Sequence, residues 1–444
     1  MHASIYDFIA IGVGPFNLSL ACLTEPIEGL NGLFLDRNSR FNWHPGMMLE
    51  SSTLQTPFLG DLVTLADPTS PYSFLSYIKS QGRIYSFYIK EDFFLLRNEY
   101  NRYCDWVARQ LPNILFDRNV TRVTFDENSR LYTVQGLCTK TGALFSHQTR
   151  RIVLGTGTSP MVPECCRDVA GQVTHTASYI QDKPSLQTKT SITIVGSGQS
   201  AAEIYHDLLQ DIDRFGYRLN WVTRSPRFFP LELTKLTLEM TSPDYTDYFH
   251  GLPQHRRDRL IDEQKNLYKG INATLINDIY DLLYKKKLIA DIDTWLMTNI
   301  ELRNCHYDEK KRLFVLDLHQ KEQQANCIVE TEGLVLATGY AYRLPDFLAP
   351  ISDRIRWDTK GRFAVNRNYS VDMSGSEIFV QNAELHTHGF VAPDLGMACY
   401  RNSCIIRELL GRDYYPIERD TVFQHFAVHA RPSTSTARAR PDAA

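Results

Sequence analysis

The chain has 444 residues, with 48 basic against 51 acidic side chains and a formal net charge of -3. That length allows two or three domains with their own cores, and the even charge balance excludes a strong one-signed field aimed at nucleic acid or an anionic membrane. Small molecules are the expected partners. The nine cysteines follow no CxxC spacing, which argues against a zinc ribbon or a disulfide framework.

In chain order, residues 6–11 read as a strand, Gly12 to Gly14 as a turn, 16–23 as a helix and 32–36 as a second strand, a βαβ opening. The apolar run 8–13 lacks a basic leader and a cleavage site, and no run approaches the roughly 20 residues that span a bilayer. A cytoplasmic protein is expected. In Gly12-Val13-Gly14-Pro15-Phe16-Asn17 the glycines let the backbone approach a pyrophosphate whose charge faces a helix N-terminus. Asn17 fills the usual third glycine or alanine position, and Asp36 supplies a carboxylate for a ribose hydroxyl.

Residues 152–157 (IVLGTG) form an apolar strand ending in a small-residue turn, as do 334–340 (LVLATGY). Both suit crossings between two nested domains. Val169, Gly171, His175 and Tyr179 loosely resemble a fingerprint of flavin monooxygenases, although a hydrogen-bonded loop histidine explains His175 equally well. A second βαβ unit starts at 191–195, turns at Gly196 to Gly198, and continues as helix 201–209 and strand 219–223. Gly196-Ser197-Gly198-Gln199-Ser200-Ala201 fits GxGxxA fully. Its second strand ends in Thr223-Arg224-Ser225, with Arg227 beyond and no acid. A guanidinium there pairs with a 2'-phosphate, which favours NADPH over NADH.

Residues 233–287 read as helical and rich in polar and aromatic side chains, a substrate-binding insert. Cys399 and Cys404 are spaced C-x4-C within a predicted helix over 397–410, where i and i+5 point to different faces. Buried free thiols are expected there, not a redox disulfide. The tail 429–444 lacks large apolar residues and reads as disordered.

These residues resemble the microbial N-hydroxylating monooxygenases of siderophore biosynthesis, whose members act on lysine, ornithine or short diamines. The likeness runs over 6–411 and is carried by GVGPFNLSLA (12–21), FNWHPGMML (41–49), LQTPFLGDLVTLADPTSPYSFLSYI (54–78), GSGQSAAE (196–203), LATGY (336–340) and THG (387–389). It implies an α/β fold of two nested Rossmann-like domains with a small helical insert. An FAD domain takes 1–160 and 335–428, an NADPH domain 161–232 and 291–334, and the insert 233–290. It further implies FAD on Gly12, Gly14, Pro15, Asn17, Asp36, Trp43, His44 and Gln55, with Val120 and the Asp394-Leu395 turn lining the site. NADPH falls on Gly196, Gly198, Gln199, Ser200 and Arg224. No side chain is implied as a catalyst: NADPH reduces FAD, oxygen forms a flavin hydroperoxide, and the amine attacks it. A homo-oligomer, commonly a tetramer, is implied as well.

One departure bears on substrate. Family members that use amino acids carry, at the position of Gly60, a lysine that pairs with the substrate carboxylate. Gly396 stands where a serine is usual and Leu267 where an asparagine is, while Gln55 also borders the substrate. An unpaired carboxylate in a desolvated site is costly, so an aliphatic diamine, putrescine or cadaverine, is the expected substrate with molecular oxygen. The alternative is a lysine or ornithine monooxygenase in which Lys235 or Lys265 supplies the cation. A flavin disulfide reductase is disfavoured because no CxxxxC follows Gly14, and a non-catalytic flavin-binding protein is disfavoured by the match around Gln55.

Overall fold

The computed structural model describes residues 5–428, so the expectation for the tail 429–444 lies outside the described residues. Its frame is one supersecondary unit used twice. In the first, strands Phe8–Ile11, Gly32–Leu35 and Ile114–Leu115 run parallel on one side, with Ile152–Leu154 and then Ile378–Val380 on the other. In the second, Ser191–Val195 is central, with Arg218–Val222 and Thr294–Met297 on one side and Gly333–Leu336 and Thr174–His175 on the other. The central strands FIAI and SITIV are almost wholly buried, as continuous apolar runs must be when helices or further strands cover both faces. Each unit also carries an antiparallel meander between its outer strand and its returning strand: Arg118–Asp126, Leu131–Cys138 and Leu144–Thr149 in one, Ile300–Asp308, Leu313–Gln320 and Ala325–Thr331 in the other.

The strands Ile152–Leu154 and Gly333–Leu336 each return beside the first strand of their own unit before the chain leaves it. Immediately after them, Ser159–Pro160 and Tyr340–Ala341 pair antiparallel, and this two-stranded ribbon is where the chain crosses between units. Both sheets are packed on two faces. Helices Pro15–Thr24, Arg97–Ala108 and Ala398–Leu410 contribute to one core on the first sheet, and the first meander contributes to the core on its other face. Helix Gln199–Phe215 covers one face of the second sheet and the second meander the other.

The helical stretch divides by packing. Ile271, just before Ala273–Ile289, and Ile279, within it, join the core of the second unit. Tyr245, Phe249 and Leu267, from Pro243–Gly251 and Asn266–Lys269, instead pack against Phe390 and Leu385 of the returning chain. Cys399 and Cys404 are buried free thiols on Ala398–Leu410. Among the described residues no helix is long and apolar enough to cross a membrane.

Candidate active site

The first glycine turn is built by close approach. Gly12 has φ +88°, a region costly for residues with a Cβ, and a Cβ there would collide with the carbonyl oxygen of Gly155. Its N–H donates to Leu35 O at 2.8 Å. Gly14 caps the helix Pro15–Thr24 in an extended conformation with open space around it, and Pro15 takes the first helical position, where a missing N–H costs nothing. Asn17 is 1% exposed. Its Nδ2 donates to Gly12 O at 2.7 Å, and its Oδ1 accepts from Gln381 Nε2 at 2.6 Å. A third glycine is therefore replaced here by an amide that pins the turn. Asp36 directly follows the second strand; its Oδ2 accepts from Val13 N at 2.7 Å and its Oδ1 from Asn38 N at 2.7 Å.

The second turn repeats this arrangement. A Cβ at Gly196 would collide with Ala337 O, and Gly196 N donates to Val222 O at 3.0 Å. The Gly196 carbonyl accepts from Trp221 Nε1 at 2.8 Å, the counterpart of the Asn17 bond. Gly198 caps the helix Gln199–Phe215, which begins with Gln199 and Ser200. In the place of Asp36 stands Thr223, 1% exposed, whose Oγ1 accepts from Ser225 N at 3.1 Å. Arg224 follows with an exposed side chain. Lys269 lies within electrostatic reach of both Arg224 and Lys265, and its backbone carbonyl would be 3.7 Å from a Cβ on Gly198. Burial first, then these neighbouring cations, lowers the Lys269 pKa. A cationic group of this kind near a helix N-terminus, with Asp262 opposing it on Lys269, suits a phosphate.

Between the turns the two units are tied by polar side chains. Gln55 lies on the strand Thr53–Pro57. Its Oε1 accepts from Asn272 Nδ2 at 3.1 Å, while its Nε2 is buried without a partner among the described residues. Asn272 N donates to Gln199 Oε1 at 2.8 Å, and Gln199 Nε2 donates to Glu203 Oε1 at 3.0 Å. Glu203 in turn forms a two-pronged pair with Arg97, at 3.0 and 2.9 Å, and Arg97 also donates to Met47 O. Trp43 and His44 stand on the same side: the His44 ring is 4.9 Å from Trp43 and 5.5 Å from Tyr340, which packs 5.3 Å from His175. His44 has φ +48°, and enclosure by protein, aided by Arg97, pulls its pKa down to about 4. His175 Nδ1 accepts from Ala177 N at 3.2 Å, so it caps a turn.

The substrate-side residues converge at one corner. Gly60 is buried, and a Cβ there would strike the Thr56 methyl and come within 3.2 Å of Gly396 Cα. A Cβ on Gly396 would lie 3.1 Å from Asp394 Oδ1, which accepts from Gly396 N at 2.7 Å. Leu395 is buried in the first core. Two expected residues stand apart from this gathering. Val120 is buried in the core shared with Leu35, two residues from Arg118, whose N–H donates to Asp36 O at 2.7 Å. Leu267 packs with Tyr245, Phe249 and Phe390. Lys235 is exposed, and Lys265 stands with Lys269.

Sequence reading missed Arg97, Glu203, Asn272 and Lys269. Glu203 alone left a trace, an acid on the buried face of helix Gln199–Phe215. The partners of the others come from distant segments.

Two nucleotide units with matching turns, one ending in a carboxylate and the other among cations, define a two-dinucleotide oxidoreductase. The family model for L-lysine 6-monooxygenase/L-ornithine 5-monooxygenase matches residues 4–342, and the chain belongs to that family. It is 54% identical over 424 residues to putrescine N-hydroxylase of Shewanella oneidensis, covering 96% of this chain and 84% of that one. It is 48% identical to putrescine N-hydroxylase of Acinetobacter baumannii, covering 95% and 94%. Among solved structures, FAD-bound DfoA, the cadaverine monooxygenase of desferrioxamine biosynthesis from Erwinia amylovora, superposes with a TM-score of 0.95 at 57% identity, covering 97% of this chain and 100% of that one.

Proposed function

We propose that this chain hydroxylates one amine of an aliphatic diamine, putrescine or cadaverine, using FAD, NADPH and oxygen, to supply a hydroxamate siderophore. The residues fit both cofactors. Gly12 lets the turn press against Gly155, the space beside Gly14 at the start of the helix is open for a pyrophosphate, and Asp36 keeps lone pairs for a ribose. Trp43, His44, Val120 and the Asp394-Leu395 turn complete the flavin side, and the orphaned Gln55 Nε2 offers a donor toward the reacting centre. Gly196, Gly198, Gln199, Ser200 and Arg224 serve NADPH. Reduced FAD supplies the activation of oxygen when bound.

The protein's own work is to place and desolvate the amine. A primary alkylamine titrates near ~10.4 and attacks only when neutral, so removal from water at the reacting end favours the competent form. The observation that carries the diamine reading is the Gly60–Gly396 corner: two glycines face each other there and neither provides a cation for a carboxylate. The two putrescine enzymes and the cadaverine enzyme among the relatives support the same reading.

Assembly as a homotetramer is part of this proposal. Tyr280, Tyr284 and Leu288, exposed by 69, 62 and 70%, form a stripe on one face of Ala273–Ile289, and a contiguous apolar stripe of this kind favours association. The free cysteines accord with a reducing, cytoplasmic setting. The test is turnover under oxygen-18 gas with NADPH and cadaverine or putrescine. The expected product is a labelled N-hydroxydiamine detected by mass; hydrogen peroxide as the only product with both amines contradicts the proposal.

A further inference from the structure

Two carboxylates stand near the Gly60 corner, and they differ in what they have left to bind. Asp61 is spent: its Oδ1 accepts from Val63 N and Thr64 N at 2.9 and 2.7 Å, and its Oδ2 from Phe74 N and Thr64 Oγ1 at 2.6 and 2.8 Å. Asp394 accepts one bond only, from Gly396 N to Oδ1. Its Oδ2 has no partner among the described residues. Protein encloses Asp394, yet the residue keeps part of its surface accessible, as a group lining an interior cleft does. Arg401, whose charge bears on Asp394, spends Nη2 on Glu384 at 2.9 Å and Ala392 O at 2.7 Å, and its Nε and Nη1 have no partner among the described residues, so no hydrogen bond joins it to Asp394.

Enclosure raises the Asp394 pKa, opposed by the Gly396 N–H and by Arg401. A carboxylate held this way is stabilised most by a cation brought from outside. Gly60 and Gly396 pack against each other beside this carboxylate, and neither carries a side chain that could pair with it. We infer that Asp394 receives the distal ammonium of the diamine, through its free Oδ2, and thereby selects substrates with a cation, not a carboxylate, at the far end. This rests on the diamine reading above.

The test uses the full-length, flavin-loaded protein with NADPH and two amines of equal chain length, cadaverine and n-pentylamine. The second lacks the distal ammonium. Truncating one partner of an enclosed charge pair is expected to cost at least about tenfold in affinity. The unaltered protein should therefore show a KM for n-pentylamine at least about tenfold above that for cadaverine. In Asp394→Asn, which keeps an acceptor for Gly396 N but loses the charge, the two KM values should fall within about threefold, chiefly because that for cadaverine rises. An unchanged ratio in the variant overturns the assignment. Should the variant fail to retain flavin, calorimetric titration of the unaltered protein with the two amines decides: equal affinities overturn the assignment and at least about tenfold tighter cadaverine supports it. A protein that hydroxylates cadaverine but shows an unchanged variant ratio loses only this assignment. One that hydroxylates no diamine loses the diamine reading as well.

Discussion

The two glycine turns are near copies that end in opposite chemistry. In both, the first glycine presses against the turn that follows the returning strand, at Gly155 or Ala337, and in both its carbonyl is pinned by a buried side chain, Asn17 or Trp221. Even the residue after the second strand makes the same local turn, Asp36 to Asn38 N and Thr223 to Ser225 N. The difference is one carboxylate. Removing it from the second turn leaves Arg224 with no carboxylate at the strand end, with Lys269 within electrostatic reach of Arg224, Lys265 and Asp262, and the same frame then suits a 2'-phosphate instead of a bare ribose. In the proposed reading, backbone geometry makes a dinucleotide site and a single charged position decides which dinucleotide.

Breaking the frame should have the largest effects, and they should be separable. Gly12→Ala places a Cβ at φ +88° against Gly155 O, which should weaken FAD retention by roughly 100-fold, read as flavin absorbance after dialysis. Gly196→Ala should leave flavin bound while abolishing most NADPH-driven flavin reduction in stopped flow. Loss of flavin in both variants would show that the turns are not independent sites. The next test converts one turn toward the other. Thr223→Asp restores a carboxylate beside Arg224 and should raise the KM for NADPH about tenfold or more, while NADH improves or holds. Arg224→Ala should raise the NADPH KM by about 10- to 100-fold through loss of a charged hydrogen bond, with NADH changed less than about twofold. Equal losses with both nucleotides would place Arg224 away from the 2'-phosphate.

Both βαβ units were legible because their signals are local: glycines between an apolar strand and a helix, and an acid or its absence at the next strand end. The order of the strands was not. That Ile152–Leu154 and Gly333–Leu336 return to their own sheets, and that a ribbon at Ser159–Pro160 and Tyr340–Ala341 makes the crossing, depends on pairings between residues far apart in the chain. The Gly60 and Gly396 positions were flagged by family likeness, and the structure adds that they face each other. The bridge from Gln55 through Asn272 and Gln199 to Glu203 and Arg97 left almost no sequence trace, since polar residues in a helix cap or a loop carry no sign of their partner.

The smallest expected effect concerns the returning chain, where His388 is fully buried. Burial, then His250 and Arg367, hold its imidazole neutral well below the usual range. The unfolded chain takes up a proton there below about 6.5 that the folded chain refuses, so this contribution to stability is complete above that value and is lost as pH falls through it. His388→Gln should therefore flatten the decline of Tm between about pH 7 and 5. The comparison isolates this effect from Asp61 and Glu384, whose burial-raised carboxyls act with the opposite sign. A Tm slope that is unchanged in the variant would remove His388 from the account.

The most direct test of the whole account is hydroxylamine formed per NADPH consumed, measured side by side with putrescine, cadaverine, lysine and ornithine at equal concentration. The Gly60–Gly396 corner predicts coupled turnover with one or both diamines and largely uncoupled oxidation with the amino acids. Coupled turnover of lysine or ornithine in preference to either diamine would contradict it.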